Sequence, residues 1–355
     1  MDQFKILTIN PGSTSTKVSI FEDTVEQEKT SIEHPAEEIK EFETIWEQLD
    51  YRQAEVEKFL AKHFPNDGNI DAVVGRGGLL RPIPGGIYEV NSTMLDDAKR
   101  GVQGQHASNL GCALAHRVAT QFKARAFIVD PVSTNETQQI ARISGNPNLE
   151  RKSLSHALNI HYIARKVAED INVPLQETYL VIAHLGGGFS IAAVRGGQII
   201  DVNDANNEGP FSTARSGSLP TISLANWIIE NEFTKSDIQR ELLKKSGWAG
   251  YLNTTDGKEI ERRLEEGDEK TGLILEAMAY QIAKEIGAMA TVLEGRTERI
   301  ILTGGLANFT QLINLVEHRI RWIAPVDILP GEFEMQAMAE GAVRALTGEQ
   351  QVLKY

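Results

Sequence analysis

The sequence predicts an α/β protein made of two similar units with a cleft between them. Three observations lead there. Short apolar, β-branched runs alternate with longer amphipathic stretches along the whole chain. A strand, a glycine turn and a returning strand occur at Asn10-Pro11-Gly12 and again, 174 residues later, at His184-Leu185-Gly186. The length of 355 residues leaves room for two domains of roughly 150 residues each. A duplicated unit that opens on a glycine-turned hairpin suggests two domains facing each other, and clefts between domains are where small ligands bind.

In chain order, Lys5 to Ile9 reads as a strand stopped by Asn10-Pro11-Gly12, and Lys17 to Glu22 as its return. Residues 37–63 carry Ile39, Phe42, Ile45, Trp46, Leu49, Val56, Phe59 and Leu60 among many charges, the pattern of an amphipathic helix. Asp71 to Val74 is a short strand ending in Gly75-Arg76-Gly77-Gly78. A helix over 107–122 follows, then a strand from Ala126 to Val129 ending at Asp130-Pro131. The second half has a helix over 157–171 and a strand from Thr178 to Ala183 that stops at His184-Leu185-Gly186-Gly187-Gly188. Strands at Ser190–Val194 and Gln198–Val202 come next. A long helix over 271–294, a strand from Arg299 to Leu302 ending at Thr303-Gly304-Gly305, a helix from about Asn308 and a last helix over about 334–346 complete the chain.

Composition narrows the function classes. With 36 Lys and Arg against 49 Asp and Glu, the net charge is −13. This argues against broad binding to nucleic acid or anionic membrane, which needs clustered cations. It leaves nucleotides open, because local groups hold those. The single Cys112 excludes an intrachain disulfide and a Cys-based zinc site, and it reads as a small core residue of helix 107–122. No stretch approaches ~18 consecutive apolar residues. The opening MDQFKILTIN lacks a basic n-region and a long apolar run, so a cytoplasmic protein is expected.

Three turns are candidates for phosphate contact. Asn10-Pro11-Gly12-Ser13-Thr14-Ser15-Thr16-Lys17 is crowded with hydroxyls and carries a lysine. It is not a Walker A loop, since a strand follows it and the Gly-Lys-Ser/Thr ending is missing. Exposed N–H groups, the hydroxyls of Ser13 and Ser15 and the Lys17 ammonium suit phosphate all the same. Gly186-Gly187-Gly188 lets a backbone approach an anion closely. Gly304-Gly305 sits between a strand and a helix, a common nucleotide approach. Each has a plain reading as a hairpin or strand–helix turn. Together they point to a nucleotide in the cleft.

Active residues of α/β proteins gather past the carboxyl ends of strands. Asn10, Arg76, Asp130 and His184 stand there, and Arg215 lies in a Gly-, Ser- and Thr-rich stretch. Singly, these are ordinary ion-pairing, capping or structural residues. Their shared placement at element ends is what a common site would produce.

Ile6-Leu7-Thr8-Ile9-Asn10-Pro11-Gly12-Ser13-Thr14-Ser15-Thr16-Lys17 resembles the opening signature of the acetate/butyrate kinase family. Val181-Ile182-Ala183-His184-Leu185-Gly186-Gly187-Gly188, Ala214-Arg215-Ser216-Gly217 and Leu302-Thr303-Gly304-Gly305 resemble later family blocks in the same order. Gly75-Arg76-Gly77-Gly78-Leu79-Leu80-Arg81-Pro82-Ile83, Tyr88-Glu89-Val90-Asn91 and the length resemble the butyrate branch. The resemblance implies two duplicated ribonuclease-H-like, actin-like ATPase domains. It implies reversible phosphoryl transfer from ATP to a short fatty acid, giving an acyl phosphate and ADP, with Mg²⁺, and at least a homodimer. Helices over 219–230 and 271–294 carry apolar residues enough for an interface or for core. Residues 1–150 with about 335–355 would form the acyl and phosphate-loop domain, and 151–334 the nucleotide domain.

By the same resemblance, Asn10 and Lys17, with Ser13 and Ser15, belong to the first phosphate loop. Arg76 and Arg215 hold carboxylate and phosphoryl oxygens, and His184 stabilises the transferring group. Asp130 is the active-site aspartate, and Glu334 the carboxylate associated with Mg²⁺, with Glu332 a competitor. His106 and His156 match two further family histidines, and Gly186, Gly187, Gly188, Gly304 and Gly305 the nucleotide turns. Where acetate kinases read His-Leu-Gly-Asn-Gly, this chain has Gly187 for the Asn.

These residue types suit the chemistry. A carboxylic acid of pKa ~4 is already ionised at neutral pH and needs no general base. It must instead be held against an anionic phosphate, which guanidinium groups do in a two-pronged way. A filament or chaperone-type ATP switch of the same fold would need no such carboxylate clamp.

Overall fold

The computed structural model describes residues 3–64 and 69–355. The strands are β1 (Lys5–Pro11), β2 (Ser15–Glu22), β3 (Val25–Glu33), β4 (Ala72–Arg76), β5 (Ile87–Glu89), β6 (Arg125–Val129), β7 (Tyr179–Leu185), β8 (Phe189–Arg195), β9 (Gln198–Val202), β10 (Arg299–Gly304), β11 (Val326–Pro330) and β12 (Val352–Leu353). The chain divides into two units. One comprises Met1–Asn135, Ala157–Tyr162 and Phe333–Tyr355, and the other Glu136–His156 and Ile163–Glu332.

The first unit is a sheet in the order β12-β5-β6-β4-β1-β2-β3. β1, β2 and β3 form an antiparallel meander, and β1, β4 and β6 run parallel. Side chains alternate across a strand, and here both faces are covered. Leu7, Ile9, Val73 and Ile128 join one apolar cluster with residues of the helices Gln48–His63, Ser92–Arg100 and Gly111–Phe122. Ile6, Ala72, Val74, Phe127 and Val129 join the other with Met335, Met338 and Ala342 of the helix Glu334–Thr347. Cys112 is buried in the first cluster, and burial pushes its thiol up to about 12, so it is inert packing.

The stretch 37–63 differs from its single-helix reading. Ala36–Ile39 is one short turn of helix, and the true helix runs Gln48–His63. Trp46 and Ile45 pack on the core from the segment between them. The helix read over 107–122 opens with a 3-10 turn, Ala107–Leu110, before Gly111–Phe122.

The second unit is a sheet in the order β11-β10-β7-β8-β9. It repeats the first: an antiparallel meander β7-β8-β9, then parallel β10 and β11. Val181, Ala183, Phe189, Ile191, Ile300 and Leu302 pack with the helices Glu269–Val292 and Thr310–Ile320. The helix Thr221–Glu230 buries no residue, and Ile222 and Ile229 are 76% and 73% exposed. No helix among the described residues is long and apolar enough to cross a membrane.

Candidate active site

In the first unit the site grows from the ends of parallel strands. Asn10 is the penultimate residue of β1 and Arg76 the last of β4. Both reach Glu334, the first residue of the helix Glu334–Thr347. Asn10 Nδ2 donates to Glu334 Oε2 at 3.1 Å, and Arg76 Nη2 lies 3.9 Å from Glu334 Oε1. Arg76 is buried, and its Nη1 has no hydrogen-bond partner among the described residues. A buried, unsatisfied guanidinium nitrogen is costly unless a further acceptor arrives. The start of the Glu334 helix is itself pinned. The Phe333 N–H donates to buried Asn159 Oδ1 at 3.0 Å, and the Phe333 ring stacks on Tyr162 at 5.3 Å. Glu332, the other glutamate of this stretch, is exposed.

Asp130 follows β6 and takes a left-handed conformation, φ 39°. Its Oδ1 accepts from the Gly86 N–H at 2.7 Å and lies 3.0 Å from His161 Nδ1, with all three groups buried. A strained non-glycine residue held by a histidine and a backbone donor is the kind of outlier found at functional sites. His106 is exposed and caps the 3-10 turn Ala107–Leu110 through Ser108.

The turn between β1 and β2 exposes Ser13 and Thr14, half-buries Ser15, and pairs Lys17 with Asn10 across the hairpin. Beneath it lies Arg52, a residue the sequence pattern does not single out. Arg52 is fully buried and donates to the carbonyls of Gly12 and Ser15 and to Thr16 Oγ1. His34 completes the support, with Nε2 2.8 Å from Thr16 Oγ1 and Nδ1 3.3 Å from the Tyr51 hydroxyl. Burial, with the neighbouring Arg52 charge, pushes His34 down to about 4, so it is neutral here.

In the second unit His184 is the penultimate residue of β7, the position Asn10 occupies in β1. Its ring stacks on His156, with centroids 4.1 Å apart and planes 17° from parallel. His156 Nδ1 shares a 2.8 Å hydrogen bond with Ser190 Oγ, and Ser190 is the register partner of His184.

Arg215 lies over the β7–β8 turn. A Cβ on Gly188 would meet its Nη1 at 2.2 Å, so only glycine leaves the guanidinium in place. Arg215 Nη1 donates to the Ala205 carbonyl at 3.1 Å, and the Arg215 N–H lies 3.3 Å from Ser212 Oγ. Ser212 Oγ in turn donates to the Gly187 carbonyl at 2.7 Å. Burial pulls the Arg215 pKa down, and the charge of nearby Asp204 opposes it. Asp204 is buried and accepts from the Asn206 N–H and Asn207 Nδ2. Gly186 and Gly187 leave room around the turn, since a Cβ on either would meet nothing closer than 3.7 Å.

Gly304 has a structural reason to be glycine. Its φ is 90°, and a Cβ there would meet the Leu185 carbonyl oxygen at 2.4 Å, so it lets β10 approach β7. Gly305 opens the short 3-10 turn Gly305–Asn308.

Among the described residues no group of three His, Cys, Asp or Glu side chains is placed to hold a metal ion. Mg²⁺ with a nucleotide needs only one or two carboxylates, the rest being phosphate oxygens and water. Glu334, half-buried beside Asn10 and Arg76, fits that need.

A model of the acetokinase family matches residues 147–324. A Coprothermobacter proteolyticus protein named "probable butyrate kinase" is 48% identical over 354 residues, covering 99% of each chain. Butyrate kinase 2 of Clostridium acetobutylicum is 44% identical over 354 residues, again covering 99% of each. Among solved structures, Porphyromonas gingivalis acetate kinase superposes with a TM-score of 0.76 at 18% identity, covering 96% of this chain and 99% of that one. A propionate kinase from Francisella tularensis gives 0.73 at 17%, covering 95% and 98%. These two share the fold, the duplicated actin-like α/β architecture. The chain belongs to the acetokinase family.

Proposed function

We propose that the protein transfers the γ-phosphoryl group of ATP reversibly to the carboxylate of a short-chain fatty acid, butyrate, giving butyryl phosphate and ADP. The observation that carries this reading is the buried Arg76, whose Nη1 has no hydrogen-bond partner among the described residues and whose Nη2 lies beside Glu334. A guanidinium held this way is prepared for an incoming anion. Near half-identity to proteins named butyrate kinase over the whole length supports the choice of acid.

In this reading a carboxylate oxygen of the acid forms the new bond to the γ-phosphorus. The bond from that phosphorus to the bridging oxygen breaks, and its electron pair leaves with ADP. No proton moves, because the acid is ionised throughout. Charge in the transition state spreads over the equatorial oxygens, so fixed donors do the catalytic work. Arg76 and Arg215 hold carboxylate and phosphoryl oxygens, Asn10 and His184 add donors, and Asp130 keeps its neighbourhood ordered through Gly86 and His161. Mg²⁺, held by Glu334 with Asp130 reached through water, would supply charge neutralisation between the phosphates. The Ser13–Lys17 turn and the Gly186–Gly188 and Gly304–Gly305 turns contact nucleotide phosphates, with His156 beside His184. The first unit is the acyl side and the second the nucleotide side.

The reading includes a cytoplasmic setting and a homodimer or higher oligomer. The exposed Ile222 and Ile229 on the helix Thr221–Glu230 support self-association. Sedimentation at monomer mass would remove it.

The test of function is acyl hydroxamate formed from ATP, Mg²⁺, hydroxylamine and a panel of acids. Butyrate should give the highest rate, with acetate, propionate and isobutyrate below it. One methylene is worth only ~1–3 kcal/mol, so the ranking should be graded rather than absolute. Hydroxamate from no acid would favour an ATP switch and overturn the reading.

A further inference from the structure

The β1–β2 turn rests on a buried cation whose hydrogen-bond acceptors are all neutral. Arg52 lies in the helix Gln48–His63 and is fully buried. Its guanidinium donates to the carbonyls of Gly12 at 2.9 Å, Ser13 at 3.3 Å and Ser15 at 3.1 Å, and to Thr16 Oγ1 at 3.0 Å. Nε and Nη2 both donate to Gln48 Oε1, at 3.1 and 2.9 Å. Every acceptor is neutral, and among the described residues no carboxylate forms an ion pair with it. Burial pushes its pKa down to about 10, so it remains charged at neutral pH. Burying a charge without an ion-pair partner is expensive, and the hydrogen bonds to the turn and to Gln48 are what hold it there.

What the guanidinium does to the turn is geometric. In a trans peptide the N–H points opposite to the C=O, and among the described residues no peptide bond is cis. With the Gly12 and Ser13 carbonyls drawn down onto Arg52, the N–H groups of Ser13 and Thr14 face the other way. Among the described residues neither donates to a protein acceptor, and both residues are exposed. Successive N–H groups turned outward form a concavity for anionic oxygens. The uncompensated charge beneath raises its attraction for them.

We propose that Arg52 is the positioning residue of the phosphate turn: it fixes residues 12–16 so that the Ser13 and Thr14 N–H groups face a phosphate of the nucleotide, and it supplies the turn with buried positive charge. This rests on the reading of that turn as a phosphate contact. Arg52 touches no substrate and acts through the backbone.

The test compares full-length wild type, Arg52→Met, Arg52→Lys and Lys17→Met for melting temperature, kcat, KM for ATP and KM for butyrate. Arg52→Met should raise KM for ATP by about tenfold or more and leave KM for butyrate within about twofold. A merely structural role would shift both together, or lower the active fraction without moving either. Lysine keeps the charge but has one nitrogen for four turn acceptors. Arg52→Lys should therefore fall between wild type and Arg52→Met, and it carries the test if the methionine variant does not fold. A folded Arg52 variant with a wild-type KM for ATP, or an equal rise in both constants, overturns the proposal. If Lys17→Met raises KM for ATP while Arg52→Met does not, the Arg52 proposal fails alone. If neither does, the phosphate reading of the turn fails with it.

Discussion

The two hairpins β1–β2 and β7–β8 hold the same place in their sheets, yet their turns are shaped by different means. The β1–β2 turn takes its shape from below, through a buried arginine that gathers its carbonyls. The β7–β8 turn takes its shape from the absence of side chains, with Arg215 lying against Gly188 and Ser212 holding the Gly187 carbonyl. The penultimate strand residue is a neutral amide in one and a stacked imidazole in the other. The duplicated hairpins are therefore shaped by two routes. One turn rests on a buried cation, and the other has Arg215, from a segment further along the chain, lying over its glycines.

The strongest way to break this comparison is to remove the arginine each unit contributes. Arg76→Ala and Arg215→Ala should each lower kcat by at least ~10²-fold, the scale of one lost transition-state donor. Steady-state rates with saturating ATP and butyrate check this. A near-normal rate in either variant removes that arginine from the proposed reaction.

A smaller effect separates the two turns. Gly188→Ala places a Cβ 2.2 Å from Arg215 Nη1, so the flexible guanidinium must move aside. Turnover should drop roughly tenfold, while the melting temperature stays near wild type because only a side-chain end shifts. A Cβ on Gly12 would meet Ser15 O at 3.5 Å, an ordinary contact. Gly12→Ala should therefore be close to neutral in the same assays. Equal losses in the two variants would erase the distinction.

The smallest effect concerns pH. His34 is held down to about 4, whereas an unfolded histidine titrates near ~6.5. Between these values the unfolded chain takes up a proton that the fold refuses. Stability should then decline as pH drops from about 6.5 toward 4, and His34→Gln should flatten that slope. Urea melts across that range check it, and an unchanged slope would remove His34 from the support of the turn.

Much of this was legible in sequence, for a physical reason. Asn10, Arg76, Asp130 and His184 announce themselves because apolar β-branched runs end at them, and strand ends are where α/β sites form. Arg52 did not, because a cation on an amphipathic helix looks like any solvated charge until its face is known. Asn159 and His161 were hidden in the same way within the helix Ala157–Asp170. The sequence does not mark β3, because its residues, Val25–Glu33, are mostly charged or polar, as befits an exposed edge strand. The break between Ile39 and Gln48 was masked by apolar residues that pack on the core without helical order.

The claim beneath the proposed function is a single direct transfer of the phosphoryl group from nucleotide to carboxylate. ATP made chiral at the γ-phosphorus with oxygen isotopes tests it most directly. Turned over with butyrate, a single in-line displacement should give butyryl phosphate with inverted configuration. Retention, the mark of a second displacement through a phosphorylated side chain such as His184 or Glu334, would contradict it.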